Sequence, residues 1–147
     1  MENKVLVFIF SGQEFALDIA LVQEVVNKTK ISKVPKVPEI ISGVINYRGN
    51  IIPVIDLKKV LDYKSDINDD KKQRLVIISK GDLCYGVIVD EAKEVITIDS
   101  SQIEQVQNVL QKKEKESCCK GIAKIDKRII CILDLASIEC DIAVESV

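Results

Sequence analysis

Gly43-Val-Ile-Asn-Tyr-Arg-Gly-Asn-Ile-Ile-Pro-Val-Ile-Asp-Leu57 is written a second time, loosely, as Gly121-Ile-Ala-Lys-Ile-Asp-Lys-Arg-Ile-Ile-Cys-Ile-Leu-Asp-Leu135. Five positions are identical at an offset of 78: Gly43/Gly121, Ile51/Ile129, Ile52/Ile130, Asp56/Asp134 and Leu57/Leu135. Most of the remaining apolar positions stay apolar. Each copy reads as strand, turn, strand and then an aspartate opening a short helix, because a carboxylate there can accept from the free N–H groups of a first turn. Around Arg48-Gly49-Asn50, glycine and asparagine tolerate the positive φ that a tight hairpin demands.

The echo continues upstream. Phe15–Val26 aligns with Tyr85–Ile96 at an offset of 70, with Glu24/Glu94 and Val25/Val95 identical. An insertion in the polar stretch near Gln107–Lys115 accounts for the change of offset. Two collinear matches point to internal duplication. Each unit should close into a small antiparallel barrel, since short strands must roll up or pack to hide their edges.

Composition agrees with a sheet protein. Of 147 residues 47% are apolar, with no Trp and few aromatics, so the core must be built of Ile, Val and Leu. Lys4–Phe10, Glu14–Leu17, Ser42–Tyr47, Ile51–Ile55, Arg74–Ser79, Leu83–Val89, Glu94–Ile98, Gly121–Ile125 and Arg128–Leu133 read as strands. Pro35 and Pro38 make Lys33–Glu39 an extended loop or edge. Helices are expected at Ile19–Val26 behind Asp18, where Ile19, Val22, Val25 and Val26 share a helical face. Others are expected at Leu57–Leu61, behind a capping box at Ser101–Glu104 with Ile103, Val106 and Leu110 following, and around Leu135–Ile138. Tyr63–Gln73 reads as a solvated loop and Gln111–Ser117 as a mobile one.

Several function classes are excluded or disfavoured. The chain has no histidine, which rules out Ser-His-Asp and Cys-His nucleophiles and His-bearing zinc sites. No glycine-rich phosphate loop occurs, since no Gly-Lys-Ser/Thr follows Gly43 or Gly49. A net charge of −2 offers no basic face for nucleic acid. Val5–Phe10, the longest apolar run, is far short of the roughly 20 residues that span a bilayer. No cofactor or metal is expected, and Asp69-Asp70 reads as solvated charge. The five cysteines, at 84, 118, 119, 131 and 140, form an odd set without a secretory signal, which favours reduced thiols in the cytoplasm. Cys84 and Cys131 sit in apolar strands as small hydrophobes, while Cys118-Cys119 opens an alternative reading as a redox or metal sensor. Arg48 at its hairpin tip reads either as an exposed turn charge or as a partner contact. Glu24 and Asp90 read as solvated.

Val5–Phe10, Gly12–Ile19, Val22–Val25, Val34-Pro-x-x-Pro38, Gly43–Gly49, Ile51–Leu57, Gly86–Asp90, Glu94-Val95, Gly121–Ala123 and Ile130–Leu135 together resemble the bacterial chemotaxis coupling protein family (CheW-like). The resemblance covers nearly the whole chain, and Asn-x-Arg-Gly followed by Pro-Val-Ile-Asp is its most specific part. It implies a mainly β fold of two intertwined five-stranded SH3-like barrels with a few short helices. Within one domain of residues 1–147, the first barrel is expected at about 14–80, and the second at about 81–140 plus strand 4–11. It implies a non-catalytic cytoplasmic adaptor, recruited to membrane-bound receptor clusters without inserting in the membrane. The implied partners are the chemoreceptor signalling tip and the regulatory domain of the chemotaxis histidine kinase. Carried onto matching positions, Val22, Glu24, Gly43 and Arg48 become receptor-binding candidates, Gly43 through backbone geometry. No kinase-facing residue is assigned. Tyr47 stands where the family usually has an aliphatic residue, and Asp126 stands in the second copy where the first has Arg48.

Overall fold

The computed structural model describes residues 2–61, 71–105, 119–136 and 138–139. These hold eleven strands: β1 (Glu2–Phe10), β2 (Gln13–Asp18), β3 (Val22–Asn27), β4 (Ile41–Tyr47), β5 (Asn50–Ile55), β6 (Arg74–Lys80), β7 (Leu83–Val89), β8 (Glu91–Asp99), β9 (Ile103–Gln105), β10 (Cys119–Ile125) and β11 (Arg128–Leu133). One short helix, α1 (Leu57–Leu61), follows β5. The strands form a five-stranded sheet in the order β3-β6-β7-β5-β4 and a six-stranded sheet in the order β8-β1-β2-β11-β10-β9, here called lobe one and lobe two.

The duplicated sequence becomes a duplicated ladder. In lobe one, β5 runs parallel to β7 with Val54 beside Gly86; in lobe two, β11 runs parallel to β2 with Ile132 beside Ala16. Val25 faces Val76 as Val95 faces Leu6. A bulge between Ile41 and Gly43 recurs between Cys119 and Gly121. Every one of these pairs is related by the two offsets of the sequence echo. The sixth strand of lobe two is a small extension of the same plan: where Ser32 makes a single bridge to Val44, Glu104 pairs with Ile122 inside the three-residue β9.

Each repeat gives its first hairpin away. β1 and β2 from the first repeat complete the sheet of the second, and β6 and β7 do the reverse. The division expected near residue 80 therefore does not follow the sheets, because β2 belongs to lobe two and β7 to lobe one. A strand lent in this way is buried on both faces. Val5 and Val7 of β1 enter the lobe-two core with Ala16, Ile98, Ala123, Ile130 and Ile132. Leu6, Phe8 and Phe10 enter a core shared by both lobes, with Phe15, Leu17, Val76, Ile78, Tyr85, Val87 and Leu133. That explains the unbroken apolar run, since alternation is lost when neither face meets water. Ile45, Ile52, Val54, Leu75 and Ile77 make the matching core of lobe one.

The aspartate caps form at both copies: Lys58 N–H donates to Asp56 Oδ1 and Ala136 N–H to Asp134 Oδ1, each at 3.0 Å. Ala136, Ile138 and Glu139 are helical, as expected behind Asp134, and Glu139 is fastened to lobe one by Tyr85, whose buried hydroxyl donates to its Oε1 at 3.0 Å. Burial, with the carboxylate beside it, pushes the Tyr85 phenol well above its usual pKa.

Two expected helices give way to strands at Val22 and Ile103. Asp18 does cap a turn, accepting from Ala20 N–H at 3.0 Å, but the 3-10 turn ends at Leu21 and Val22 begins β3. The β-branched Val22, Val25 and Val26 suit a ladder, and pairing with β6 overrides a helical spacing of only eight residues. Likewise the capping box belongs to Asp99 and Gln102 around the 3-10 turn Ser100–Gln102, after which Ile103 is extended and pairs with β10. Val106, Leu110, most of the Tyr63–Gln73 loop and all of Gln111–Ser117 lie outside the described residues. Gln73, at the end of the former loop, is buried and accepts from Lys28 Nζ at 2.9 Å.

Candidate functional site

β3 and β4 are the two ends of the five-stranded order, so a contact between them means that the sheet has rolled up. Glu24 makes that contact. Residues of β3 alternate between half-buried and exposed, and Glu24 shares the inward-leaning set with Val22 and Val26. From there its Oε2 accepts from Arg48 Nη2 at 2.7 Å and from the hydroxyl of Tyr47. The Arg48 guanidinium also lies 5.2 Å from the centre of the Tyr47 ring, within cation–π range. The Glu24 carboxylate at its hydroxyl holds the Tyr47 phenol above its ordinary pKa.

Arg48 reaches this position because the hairpin tip adopts φ +50°, followed by Gly49 at φ +85° with Asn46 Oδ1 accepting from Gly49 N–H at 3.1 Å. Its side chain is 64% exposed and that of Glu24 35%, so the pair stands at the surface with most of the guanidinium free to water. Such a pair contributes little to stability, about 0–1 kcal/mol.

The structure thus brings two of the four candidate residues, Glu24 and Arg48, into direct contact. Val22 heads the same strand, half-buried against the shared core. Gly43 is buried in β4, where a Cβ would lie 2.3 Å from the carbonyl oxygen of Ser32 and 2.7 Å from Ile31 Cγ2. It lets the segment before β4 cross at backbone distance, a supporting position beneath the surface. Tyr47 is the residue that motif matching passed over. Its signal was an aromatic beside an arginine at a hairpin tip, in a chain with three tyrosines. Asp90 is structural: Oδ2 accepts from Ser11 N–H at 2.7 Å and tightens the β1–β2 turn.

Beside the lobe-one tip is a shallow groove lined by Tyr47, Arg48, Ile51, Pro53, Leu83 and Cys84. Lobe two repeats it with Gly12, Gln13, Glu14, Ile129 and Cys131 at equivalent places. Ile51 and Ile129 are 67% and 69% exposed, and Val25 and Val95 are also exposed. These aliphatics read as core in the sequence, where alternation cannot tell an outer apolar face from an inner one. In the lobe-two groove Glu14 is clamped by Arg128 at 2.7 Å and Lys93 at 2.8 Å, and Arg128 also meets Glu94 at 2.8 Å. Those hydrogen bonds hold the Glu14 carboxyl down to about 2.

Among the described residues no group of three or more metal-ligating side chains comes together. Cys118 lies outside them. Cys119 is joined to Cys131 as a disulfide rather than both standing as separate thiols, while Cys84 is free. The strand bulge before Gly121 is what turns Cys119 toward Cys131. No described helix is long and apolar enough to cross a membrane.

Comparison with known proteins agrees with this architecture over most of the chain. The model of the CheW-like domain matches residues 4–140. The chemotaxis protein CheW of Bacillus subtilis is 38% identical over 133 residues, covering 90% of this chain and 83% of that protein. The chemotaxis protein CheW of Thermotoga maritima is 35% identical over 144 residues, covering 98% and 92%. The crystal structure of the scaffolding protein TtCheW from Thermoanaerobacter tengcongensis superimposes with a TM-score of 0.80 at 40% identity, covering 92% of this chain and 86% of that one. With its paired sheets, its repeated hairpins and a family match from residue 4 to residue 140, the chain belongs to the CheW-like family.

Proposed function

We propose that this chain is a non-catalytic adaptor that couples the cytoplasmic signalling hairpins of chemoreceptors to the regulatory domain of the chemotaxis histidine kinase. Its relatives are named as chemotaxis and scaffolding proteins. The observation that carries the reading to a surface is the meeting of Glu24 and Arg48 at the closure of lobe one. Two residues far apart in sequence, each a candidate by motif, share one exposed ion pair beside a groove in which Ile51, Pro53 and Leu83 mix with Asn50 and Asp82.

In this reading the receptor hairpin docks beside the lobe-one closure. Arg48, tethered by Glu24 and stacked on Tyr47, presents a positioned guanidinium to an acidic or carbonyl-rich helical tip, which sets register and encounter rate more than raw affinity. Val22 shapes the underlying packing and Gly43 keeps β4 close to Ser32. With the receptor on lobe one, the exposed Ile129 and Val95 of lobe two are left for barrel-to-barrel contacts with the kinase domain. Each contact is modest alone, and multivalency in an array strengthens both. The protein would work in the cytoplasm, held at membrane-bound receptor clusters by its partners.

The test is to mix the chain with a receptor signalling hairpin and the kinase regulatory domain and follow assembly by size-exclusion chromatography and calorimetry. A ternary complex in which each partner binds without displacing the other is expected. Mutually exclusive binding, or none, would sink the adaptor reading.

A further inference from the structure

The lobe-two groove contains a feature that lobe one lacks. Cys119 opens β10, Cys131 lies in β11, and the two are joined with their Cα atoms 6.1 Å apart, inside the span of about 4.4–6.8 Å that bridged cysteines occupy. Strand parity alone would keep them apart. Gly121 and Ala123 face the lobe-two core, and on a regular strand Cys119 would face it too. The bulge between Cys119 and Gly121 inserts one residue, turns Cys119 to the other face and sets it opposite Leu133, next to Cys131 on that face. The bulge of lobe one does the same to Ile41, whose neighbour at the place of Cys131 is Pro53. The geometry is common to both lobes, and only lobe two fills it with sulfur.

Both cysteines are half-buried, and both line the groove beside Glu14, Ile122 and the exposed Ile129. A small thiol or disulfide can reach them from water. We propose that Cys119 and Cys131 form a reversible thiol–disulfide site that exchanges with low-molecular-weight disulfides such as oxidised glutathione. Closing it fastens the start of β10 to β11 beneath Ile129. In the exchange, the thiolate of one cysteine attacks a sulfur of oxidised glutathione, making a mixed disulfide and releasing one glutathione thiolate. The second cysteine loses its proton, attacks the mixed disulfide at the protein sulfur and displaces the second glutathione thiolate. Two cysteine thiols and one glutathione disulfide become one protein disulfide and two glutathione thiols. In a reducing compartment the pair rests as thiols and closes when the glutathione ratio shifts. The site stands apart from the adaptor reading, and neither depends on the other.

The full chain is equilibrated in buffers of graded reduced-to-oxidised glutathione, trapped by alkylation and mapped by peptide mass. Cys119 and Cys131 are expected to lose alkylation together in one two-electron transition, with the protein two hydrogens lighter. The melting temperature should rise by roughly 5–10 °C across that transition. Cys119→Ser and Cys131→Ser should each abolish it, and Cys84→Ser and Cys118→Ser should leave it in place. Cys119 bridged to Cys118, to Cys140 or to a second chain would overturn the assignment, as would thiols that stay alkylated at every ratio. A bridge that forms with no change in melting temperature would overturn the fastening of the hairpin.

Discussion

At the tip of the β4–β5 hairpin stands Arg48, and at the same point of the β10–β11 hairpin stands Asp126. Both hold a left-handed backbone, with φ +50° and +54°. The turn has been copied and its charge has not. The acid on the facing strand has been kept, as Glu24 in one lobe and Glu94 in the other, yet its partner has moved. Glu24 meets the tip arginine itself, whereas Glu94 meets Arg128, two residues further on and shared with Glu14. In lobe one the guanidinium stays at the rim where a partner can meet it; in lobe two it is held between two carboxylates and is half as exposed. Ladder geometry thus tolerates little change, while the side chains at its exposed tip are free to diverge.

The two lobes should differ most in stability at the bulge glycines. Gly43→Ala puts a Cβ 2.3 Å from a backbone oxygen, whereas at Gly121 the nearest atom is the movable Ile103 Cγ2 at 2.8 Å and the nearest backbone oxygen is at 3.3 Å. Gly43→Ala should cost about 2–4 kcal/mol and Gly121→Ala about 1–2 kcal/mol, read from urea midpoints. Equal losses would show that close backbone approach does not distinguish the lobes.

Reversing the tip charges should separate the lobes in binding. Arg48→Glu should weaken receptor-hairpin binding tenfold or more, about 1.4 kcal/mol, while the melting temperature stays within about 1 °C. Asp126→Arg should leave that affinity unchanged. An unaltered affinity in Arg48→Glu would remove Arg48 from the receptor surface, and a loss in Asp126→Arg would move the surface to lobe two.

The smallest effect concerns acid. Glu14 has a carboxyl held down to about 2 against 4.5 for a free one, so its contribution to stability is complete above 4.5 and is lost as the pH falls from there through about 2. The equivalent residue of lobe one is Cys84, which carries no such charge. Glu14→Gln should cost about 1 kcal/mol at neutral pH and flatten the stability profile over that acid window. A profile as steep as before would place the acid sensitivity elsewhere.

The hairpins, the aspartate caps and the buried run Val5–Phe10 were legible in the sequence because each depends on neighbours within a few residues. The helix expected at Ile19–Val26 failed for the opposite reason. Asp18 caps a turn as its chemistry requires, but whether Val22 continues the turn or enters a ladder is settled by β6, some fifty residues away. The same holds for Ile103 and β10. Of the candidate site, motif matching found Glu24 and Arg48 singly; their contact, and the place of Tyr47 between them, required the rolled sheet.

By itself the sequence determined that the chain is a duplicated β protein without histidine chemistry, because repeats, hairpin glycines and residue types are local properties. Only tertiary packing sets the exchange of hairpins between repeats, the bulge that brings Cys119 to Cys131, and the different arginines that Glu24 and Glu94 hold, Arg48 at a hairpin tip and Arg128 within a strand. Each of these rests on register between distant strands, and a single added residue in a ladder changes which face a side chain meets.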